Sequence, residues 1–542
     1  MRALRFVFFV LSAAAIPFGF APELGCRPDS FDGIVGGPGD AGDAQTPTEL
    51  RPDENLPAPR PVAPLSVSWV NGSRVRFEWE LAQGTTGARI ELCRTRACDG
   101  EKKTFDADGI ELLTPEELPT GFWFWRLYGK TADAIGTKPS ATWELLVRGG
   151  PLTSGRGTGS ITDVNGDGAP DLVVTMEVEP ILDDAGTFTP YDLVVLFGSK
   201  EDPTRFTMPD VTSPLYLPAT HGTDVAVTDV DGDGFSDLTW ALEARGHFDV
   251  LAFAGSADFL RPSLTTVVTP PLLDPPNLRE AGDVDLDGRG DVVISTRRDI
   301  FTLLGTAGGP GPMTYVFQLG LIDTEGGVPD LPSAMALGAG HDYDGDGVPE
   351  SPFAWPLGDT PVAYLLAGVP AVMAAAPVFL SGPPKGEATA FAGGDFSGRG
   401  LTDTAFATTV EGAPAVCILR GLDLEAEENP ATCWSPPSPA PPGFASSMTA
   451  ADLDEDGRDE LVVGSTANGI WILRWADAGI TAEHLDVPYG AKVTTIHPGR
   501  PGPAVWAATQ ASGADIAIFR GTTKSATIQP PEFTRGFGST IR

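Results

Sequence analysis

One acidic element recurs six times in this chain of 542 residues, and its repetition limits the possible folds more than any other feature. Successive copies begin 53 to 66 residues apart. A repeat of this length indicates an array of small units, each of which buries its apolar faces only against its neighbours. In order, the copies are DVNGDGAPD from Asp163, DVDGDGFSD from Asp229, DVDLDGRGD from Asp283, DYDGDGVPE from Asp342, DFSGRGLTD from Asp395 and DLDEDGRDE from Asp452.

A short apolar run, most often closed by glycine, follows each acidic element. The runs are LVVLFG to Gly198, VLAFAG to Gly255, FTLLG to Gly305, AYLLAG to Gly368, VCILRG to Gly421, IWILRW to Trp475 and, in a seventh unit, IAIFRG to Gly521. The seventh unit has HPGRPGPA, near His497, in place of the acids. Each unit shows four strands, two of which flank the acidic loop. Seven such units predict a seven-bladed β-propeller over residues 155–530, followed by a tail of residues 531–542.

Residues 62–148 show the pattern of a small β-sandwich. Apolar and charged residues alternate over residues 74–81, which is typical of a half-buried strand, and we expect Trp79 in the core. Further short strands are predicted at residues 88–92, 122–128 and 142–147. We expect this domain to be a spacer, with a binding surface as the alternative. The predicted fold class is therefore all-β, a seven-bladed β-propeller preceded by a small β-sandwich.

The N-terminus has the pattern of an export signal. Arg2 and Arg5 precede an apolar run of about 15 residues, which is short for a membrane span. We predict a signal peptide over residues 1–25 and a secreted or cell-surface location. Cys26 is a candidate for lipidation, with cleavage and release as the alternative. Residues 26–61 are rich in Pro, Gly and Asp and predict a disordered linker.

Charge and cysteine content restrict the partners and the compartment. Asp and Glu number 73 and Lys and Arg 36, so the formal net charge is −37. Phosphate recognition requires a basic surface, so we expect no nucleic-acid partner, and membrane contact only through a lipid anchor at Cys26. Four of the five cysteines lie in pairs close in sequence, which predicts two disulfides in an oxidising compartment, Cys93–Cys98 and Cys417–Cys433.

The acidic loops carry oxygen atoms at positions suited to a hard cation. Counted from the first Asp, positions 1, 3, 5 and 9 supply side-chain oxygens and position 7 supplies a backbone carbonyl. With water this makes six or seven oxygens, which suits Ca²⁺, whereas Mg²⁺ holds its waters and is the weaker candidate. About five calcium sites are predicted: Asp163, Asn165, Asp167, Ala169 and Asp171 in loop one; Asp229, Asp231, Asp233, Phe235 and Asp237 in loop two; Asp283, Asp285, Asp287, Arg289 and Asp291 in loop three; Asp342, Asp344, Asp346, Val348 and Glu350 in loop four; and Asp452, Asp454, Asp456, Arg458 and Glu460 in loop six.

Two other interpretations of these loops fit the sequence less well. In a solvated acidic turn, three or four close carboxylates would repel each other strongly. An EF-hand needs an acid at position 12 and flanking helices. Position 12 is instead an apolar residue typical of a strand, namely Val174, Trp240, Ile294, Phe353 and Val463. The repulsion between the carboxylates and the apolar residue at position 12 both favour a cation held inside a strand–loop–strand unit.

Loop five departs from the pattern. Ser397 and Arg399 stand at its positions 3 and 5. A guanidinium group can replace a cation between carboxylates, so we expect Arg399 to occupy the ion position and to pair with Asp395 and Asp403.

At these loops and their trailing strands, the chain resembles the FG-GAP (or VCBS) repeat family, which includes the seven-bladed propeller head of integrin alpha subunits. The resemblance covers about 370 residues and implies calcium in the blade hairpins and a role in adhesion. Residues 62–148 resemble a fibronectin type III or immunoglobulin-like module. The whole layout resembles secreted proteins of GC-rich bacteria such as myxobacteria.

No catalytic motif stands out in the sequence. Neither GxSxG nor HExxH is present, and the five histidines are scattered. We therefore expect a monomeric, non-enzymatic protein that is stabilised by calcium and that recognises an extracellular glycan or protein. Two alternatives stay open: a polysaccharide lyase or hydrolase acting at the propeller face, and a purely architectural surface protein.

Overall fold

The computed structural model of the protein describes residues 50–149 and most of residues 156–542. Within the second range it leaves out residues 179–180, 184–185, 189–190, 209–216, 220–221, 245–246, 258–263, 267–271, 273, 319–334, 356–361, 369–377, 380–387, 422–430, 468, 477–478, 498, 500–501, 532–533 and 536. The predicted signal peptide, Cys26 and the predicted linker up to residue 49 lie outside the described residues.

Forty short strands and no helix make up the described part of the chain, which confirms the all-β prediction. The strands are joined by turns rich in Gly, Pro and Asp, the residues that such turns favour. Over the same residues, no helix is present that could cross a membrane.

Residues 50–149, called the N-terminal domain below, form two sheets around one apolar core. Its strands are β1 (Arg51–Asp53), β2 (Arg60–Ala63), β3 (Ser68–Val70), β4 (Arg76–Glu80), β5 (Gly87–Cys93), β6 (Lys102–Asp108), β7 (Glu111–Leu113), β8 (Gly121–Lys130), β9 (Ala134–Gly136) and β10 (Trp143–Val147). The larger sheet has the order β1-β9-β8-β10-β3, with β5 between β8 and β6, and the smaller sheet has the order β2-β4-β7. Trp79 of β4 is 2% exposed and packs in this core with Trp125 and Trp143 from the larger sheet.

The folded chain begins earlier than the predicted linker boundary at residue 61. Strand β1 pairs in parallel with β9, and β2 pairs with β4. Leu56, between β1 and β2, is 9% exposed. Strands too short to show a period of two carry no sequence signal, so the composition of this segment suggested disorder where pairing with later strands orders it.

Residues 156–542 form seven small antiparallel sheets, which follow one another along the chain, and one separate hairpin, β12–β13. The strands are β11 (Leu172–Val178), β12 (Ile181–Asp183), β13 (Gly186–Phe188), β14 (Tyr191–Gly198), β15 (Phe206–Thr207), β16 (Leu217–Ala219), β17 (Gly222–Thr228), β18 (Asp237–Ala244), β19 (His247–Phe253), β20 (Leu264–Thr266), β21 (Asn277–Gly282), β22 (Asp291–Ser295), β23 (Asp299–Thr306), β24 (Gly309–Gln318), β25 (Glu350–Trp355), β26 (Val362–Ala367), β27 (Val378–Phe379), β28 (Ala390–Gly394), β29 (Asp403–Val410), β30 (Ala413–Leu419), β31 (Thr432–Trp434), β32 (Phe444–Ala451), β33 (Glu460–Ser465), β34 (Ile470–Ala476), β35 (Gly479–Leu485), β36 (Val493–His497), β37 (Val505–Thr509), β38 (Ile516–Arg520), β39 (Thr523–Ile528) and β40 (Thr534–Arg535).

Each acidic loop leads into the second strand position of its sheet. In the second sheet, β17 ends at Thr228, loop two follows, and β18 begins at Asp237. Among the described residues, the fourth sheet consists of β25, β26 and β27, and isolated bridges such as Leu337–Phe353 lie at its first position. The position-12 residues of the five predicted sites are at most 1% exposed, as expected for strand residues in a core.

Buried apolar clusters join neighbouring sheets. One cluster links the first sheet to the second through Val173 and Trp240, and others link each later pair in the same way. A further cluster contains Leu172 of the first sheet and Ile518 of the seventh. The first and last sheets are therefore packed against each other.

Residues at the C-terminus complete the first sheet, so the predicted tail of residues 531–542 is not a free extension. The Val173 N–H donates to the Arg542 carbonyl at 2.8 Å, and the Arg542 N–H donates to the Val173 carbonyl at 2.9 Å. Strand β40 also pairs with β11. In the structure, β39 is the fourth strand of the seventh sheet, whereas Thr158 pairs with Trp69 of the N-terminal domain.

Disulfides join both cysteine pairs that the sequence analysis had suggested. Cys93–Cys98 lies at the end of β5, with an S–S distance of 2.07 Å. Cys417–Cys433, with an S–S distance of 2.04 Å, joins residues directly opposite each other in β30 and β31. Each disulfide closes a connection that is local in the chain.

Candidate metal centres

The first Asp of each loop organises the turn by accepting backbone N–H groups. In loop two, the Asp229 carboxylate accepts from Gly232 at 2.8 Å, from Asp233 at 3.1 Å and from Gly234 at 2.8 Å. The bond from the position-6 N–H recurs in all six loops, at 2.7 to 3.3 Å. Position 6 has a φ between +80° and +100° in every loop, a conformation that favours glycine.

The position-9 carboxylate connects the loop to the glycine-closed strand. In loop two, one Asp237 oxygen accepts the Val230 N–H at 2.9 Å and the other accepts the Gly255 N–H at 2.7 Å. In loops one, three and five, the position-9 carboxylate likewise accepts the N–H of the closing glycine. The donors are Gly198, Gly305 and Gly421, at N···O distances of 3.0, 2.7 and 2.7 Å. This bond explains why the acidic element and the closing glycine recur together in the sequence. In loop four, which has Glu350 at position 9, the Gly368 N–H donates instead to the Pro349 carbonyl.

Carboxylate oxygens from positions 1, 3 and 9 converge in four of the loops. In each, one oxygen per residue lies within 4.8 Å of the other two; the sets are Asp229, Asp231 and Asp237; Asp283, Asp285 and Asp291; Asp342, Asp344 and Glu350; and Asp452, Asp454 and Glu460. Two oxygens on opposite sides of a Ca²⁺ ion, each about 2.4 Å from it, would be about 4.8 Å apart. The donor chemistry and the spacing therefore fit a calcium ion.

Position 5 is not part of these three-residue sets. Its carboxylate accepts the N–H of position 7 at 2.7 to 3.0 Å in all five acidic loops, which fixes the turn that carries the position-7 carbonyl. In loop three, Asp287 also contacts the guanidinium group of Arg289. Loop one has Asn165 at position 3, where the other four loops have Asp.

Burial and mutual repulsion make these carboxylates hold protons when no cation is present. Burial, together with the nearby Asp233 and Asp231 carboxylates, raises the pKa of Asp229 to about 8. Burial likewise raises the pKa of Glu350 to about 9 and that of Glu460 to about 8. A divalent cation would remove this repulsion and keep the carboxylates ionised at neutral pH.

In loop five the Arg399 guanidinium lies among the loop oxygens. Its Nη2 is 3.5 Å from Asp403 Oδ1 and its Nε donates to Ser397 Oγ at 3.0 Å. The predicted pairing with Asp395 is different in the structure, because Asp395 Oδ1 accepts the backbone N–H of Arg399 at 2.9 Å instead. That carboxylate is directed at the turn backbone, as in the other loops, and Asp403 at position 9 is the loop carboxylate that the guanidinium contacts.

The N-terminal domain packs directly on the acidic loops, which differs from the expected spacer. Arg96 donates to the carbonyls of Gly166 in loop one, at 2.6 Å, and Gly234 in loop two, at 2.7 Å. The Trp143 indole N–H donates to the Gly232 carbonyl at 3.0 Å. Arg60 donates to a carbonyl of loop three, and Arg148 forms a buried ion pair with Asp459 of loop six.

Sequence reasoning missed these interdomain residues because no motif or period marks them.

A further group, Glu91 with Cys93 and Cys98, has the residue types of a metal site. Its two sulfur atoms form a disulfide, so they are not available as thiolate ligands.

Two cavities lie beside the first strands of the sheets. One, of about 150 Å³, is lined by Arg148, His341 and Asp459 among others, and the second, of about 260 Å³, by Asp224 and Arg279 among others. Burial lowers the pKa of His341 to about 4, and its Nδ1 is 2.7 Å from Thr158 Oγ1. This neutral, buried histidine has the environment of a structural residue.

No protein-family model and no curated protein matches the sequence. Among solved structures, the chain is similar to a protein from Lactobacillus plantarum, at 12% identity and a TM-score of 0.43, over 68% of this chain and 99% of that one. It is similar to a quinonprotein alcohol dehydrogenase-like protein from Bacteroides thetaiotaomicron, at 11% identity and a TM-score of 0.37, over 89% and 98%. It is also similar to an exotype rhamnogalacturonan lyase, at 11% identity and a TM-score of 0.26, over 88% and 76%. Similarities at this level assign neither a family nor an activity to the chain.

Proposed function

We propose that this chain is an exported, calcium-binding, seven-bladed β-propeller protein with a non-enzymatic role in adhesion or recognition. Support for the propeller comes from the seven sheets of residues 156–542, each of which shares a buried cluster with the next. The seventh shares a cluster with the first, whose sheet contains the C-terminal residues. Small sheets packed only on their neighbours in a ring constitute a propeller.

Calcium binding is the part of the proposal with the most direct support. The single observation that carries it is the convergence of three carboxylate oxygens within 4.8 Å in four loops of the same design. Such clusters are electrostatically unfavourable without a cation, and their oxygens are the ligands that Ca²⁺ prefers. Each ion would hold the two strands of a hairpin together, and its binding free energy would stabilise the folded state.

Metal counting tests this part. The protein is stripped with chelator, dialysed against Ca²⁺ and analysed by elemental mass spectrometry, with a parallel dialysis against Mg²⁺. We expect five Ca²⁺ per chain and fewer Mg²⁺, because Mg²⁺ gives up its water less readily. A folded protein that retains no divalent cation would refute calcium binding.

The proposed recognition would use surfaces other than the acidic loops, because these loops are engaged within the protein itself. Arg96, Trp143 and Arg60 of the N-terminal domain bond to loops one, two and three. An external ligand is therefore expected on the N-terminal domain or on the opposite ends of the sheets.

Glycan-array binding with and without chelator tests the proposed role in recognition. Calcium-dependent binding supports recognition, silence supports an architectural role, and turnover of a polysaccharide that is lost on one acid substitution supports an enzyme.

Export is supported by the two disulfides, which form and persist in oxidising compartments. The mature protein would be anchored through a lipid on Cys26 or released. Cell fractionation followed by mass spectrometry of the N-terminus distinguishes these fates. A cytoplasmic protein with an intact residue 1–25 segment and free thiols would refute export.

A further inference from the structure

A buried carboxylate of the N-terminal domain lies against loop one without a hydrogen-bond donor for one of its oxygens. Glu144, in β10, is 0% exposed, and its Oε1 has no hydrogen-bond partner. Its carboxyl group is in direct contact with that of Asp163, the position-1 residue of loop one, and Asp167 is a further close negative charge. A buried carboxylate without compensation is costly, so this arrangement requires an explanation.

The surroundings hold Glu144 in this direction. Arg96 Nη2 is 3.4 Å from Glu144 Oε2, and the same guanidinium group donates to the carbonyls of Gly166 in loop one and Gly234 in loop two. The backbone N–H of Glu144 donates to Ser66 Oγ at 3.3 Å. One positive charge, already shared with the carbonyls of Gly166, Thr142 and Gly234, faces at least two carboxylates, so Arg96 does not neutralise the group.

Loop one is also one carboxylate short of the other acidic loops. Loops two, three, four and six each have four acids at positions 1, 3, 5 and 9, whereas loop one has Asn165 at position 3 and three acids. With Glu144 counted, loop one also has four. Among the described residues, no three of these four carboxylates have oxygens within 4.8 Å of one another, so the ion would have to draw them together. The side chain that restores the count comes from another domain, so the loop sequence alone does not reveal it.

We propose that Glu144 is a ligand of the cation bound at loop one, supplied across the domain interface, so that a single ion holds the N-terminal domain to the first sheet. This rests on the proposed calcium binding. The Ca²⁺ ion takes six to eight oxygens and accepts a ligand from outside the loop readily. Cation binding and docking of the N-terminal domain are then one coupled equilibrium, since the ion needs both surfaces.

The competing explanation is a carboxyl pair that shares one proton. Burial and the Asp163 carboxylate raise the pKa of Glu144 well above its usual value, which either arrangement would permit. The two differ in their response to Glu144→Gln. A glutamine amide can donate to Asp163 and would replace a shared proton, but it would be a poorer and uncharged ligand for Ca²⁺.

The experiment measures Ca²⁺ bound per chain by equilibrium dialysis for the wild type, Glu144→Gln, and the double variant Glu144→Gln/Asn165→Asp. Glu91→Gln is the matched control, since Glu91 is a buried carboxylate of the same domain that pairs with Lys102 and Arg126. We expect Glu144→Gln to weaken one site at least 10-fold while the other sites are unchanged. Asn165→Asp is expected to restore it, and the control is expected to keep all sites.

A crystal structure of the wild-type protein grown in Ca²⁺ provides a test that does not depend on the variants. An ion at loop one with a Glu144 oxygen at about 2.3–2.6 Å supports the proposal. An ion there without Glu144, or a Glu144→Gln variant that keeps every site and is more stable without calcium, overturns it and leaves the proposed function intact. Absence of calcium from all loops overturns both.

Discussion

Loops two and five have the same backbone scaffold but different charges at their centres. In both, the first Asp accepts the N–H groups of positions 5 and 6, and the position-9 Asp accepts the N–H of the closing glycine at 2.7 Å. Loop two adds Asp231 and Asp233, whereas loop five has Ser397 and Arg399. The Arg399 side chain is 42% exposed and reaches Asp403 from the solvent side.

This comparison separates two requirements of the repeat. The turn itself needs only two carboxylates and a glycine. The carboxylates accept the backbone hydrogen bonds, and the glycine adopts the conformation that permits them. The centre of the loop needs positive charge, because acids buried within a few ångströms of each other are unfavourable. In loop five a side chain supplies that charge. In the acidic loops we expect it to come from an ion.

Removal of all divalent cations is the strongest test of this difference. Each site contributes about 2.7 kcal/mol when the free cation is at one hundred times its Kd, and several sites together approach the whole stability of a typical protein. We expect chelator to lower the Tm by on the order of 10 °C or more. Differential scanning calorimetry with EDTA, and with EDTA plus excess Ca²⁺ as the control, measures this. An unchanged Tm would contradict the role of ions in the acidic loops.

Single substitutions compare the two loops directly. Asp231→Ala removes a position-3 carboxylate from loop two, and Ser397→Ala removes the matching side chain from loop five. We expect the first to lose one Ca²⁺ per chain and about 3 kcal/mol of unfolding free energy in saturating calcium, because one linked ion is lost. The second is expected to keep every ion. Urea titrations with parallel metal counts measure both, and equal losses from the two loops would contradict the comparison.

Conversion of loop five into an acidic loop tests the comparison of loops two and five through the gain of an ion instead of its loss. Arg399→Asp removes the guanidinium group and leaves three carboxylates and a serine around the turn. We expect one more Ca²⁺ per chain than in the wild type, a gain of up to about 2.7 kcal/mol in saturating calcium, and lower stability in chelator. Isothermal titration calorimetry with Ca²⁺ gives the stoichiometry. Arg399→Gln, which removes the charge without adding an acid, is the control and is expected to bind no additional ion.

The seventh unit, which has no acids at this position, gives the smallest predicted effect. Burial, together with the nearby charges of Arg148 and Arg520, lowers the pKa of His497 to about 4. Because the folded-state pKa lies below the unfolded value, His497 is neutral in the folded protein, and its contribution is lost as the pH falls. Between about pH 7 and pH 5, we expect a loss of about 2 kcal/mol in saturating calcium.

The variant His497→Asn tests this contribution, because an amide oxygen can accept the Gly499 N–H that His497 Nδ1 accepts at 3.2 Å. Its unfolding free energy in urea should change less with pH than that of the wild type. His484→Asn, at an exposed histidine, is the matched control. A wild-type slope in the His497→Asn protein would show that this histidine does not titrate on unfolding.

Sequence reasoning was most accurate for features held within one unit. The acidic loop is a run of nine residues whose hydrogen bonds join near neighbours, so the spacing of Asp and Gly encodes its shape directly. The position-12 residues, which the sequence predicts to be strand residues, are buried in strands. The carboxylate oxygens of positions 1, 3 and 9 converge in four loops, whereas the position-5 carboxylate of loop two is directed at the turn backbone.

By itself, then, the sequence determined the strands that flank the acidic loops, the acidic turns and the two disulfide pairs, because each depends on residues near one another in the chain. Only the tertiary structure decided that Arg542 pairs with Val173, that the N-terminal domain packs on the loops, and that Glu144 lies against Asp163. Such contacts join residues distant in the chain. They follow from the packing of whole sheets, which leaves no period or motif in the sequence.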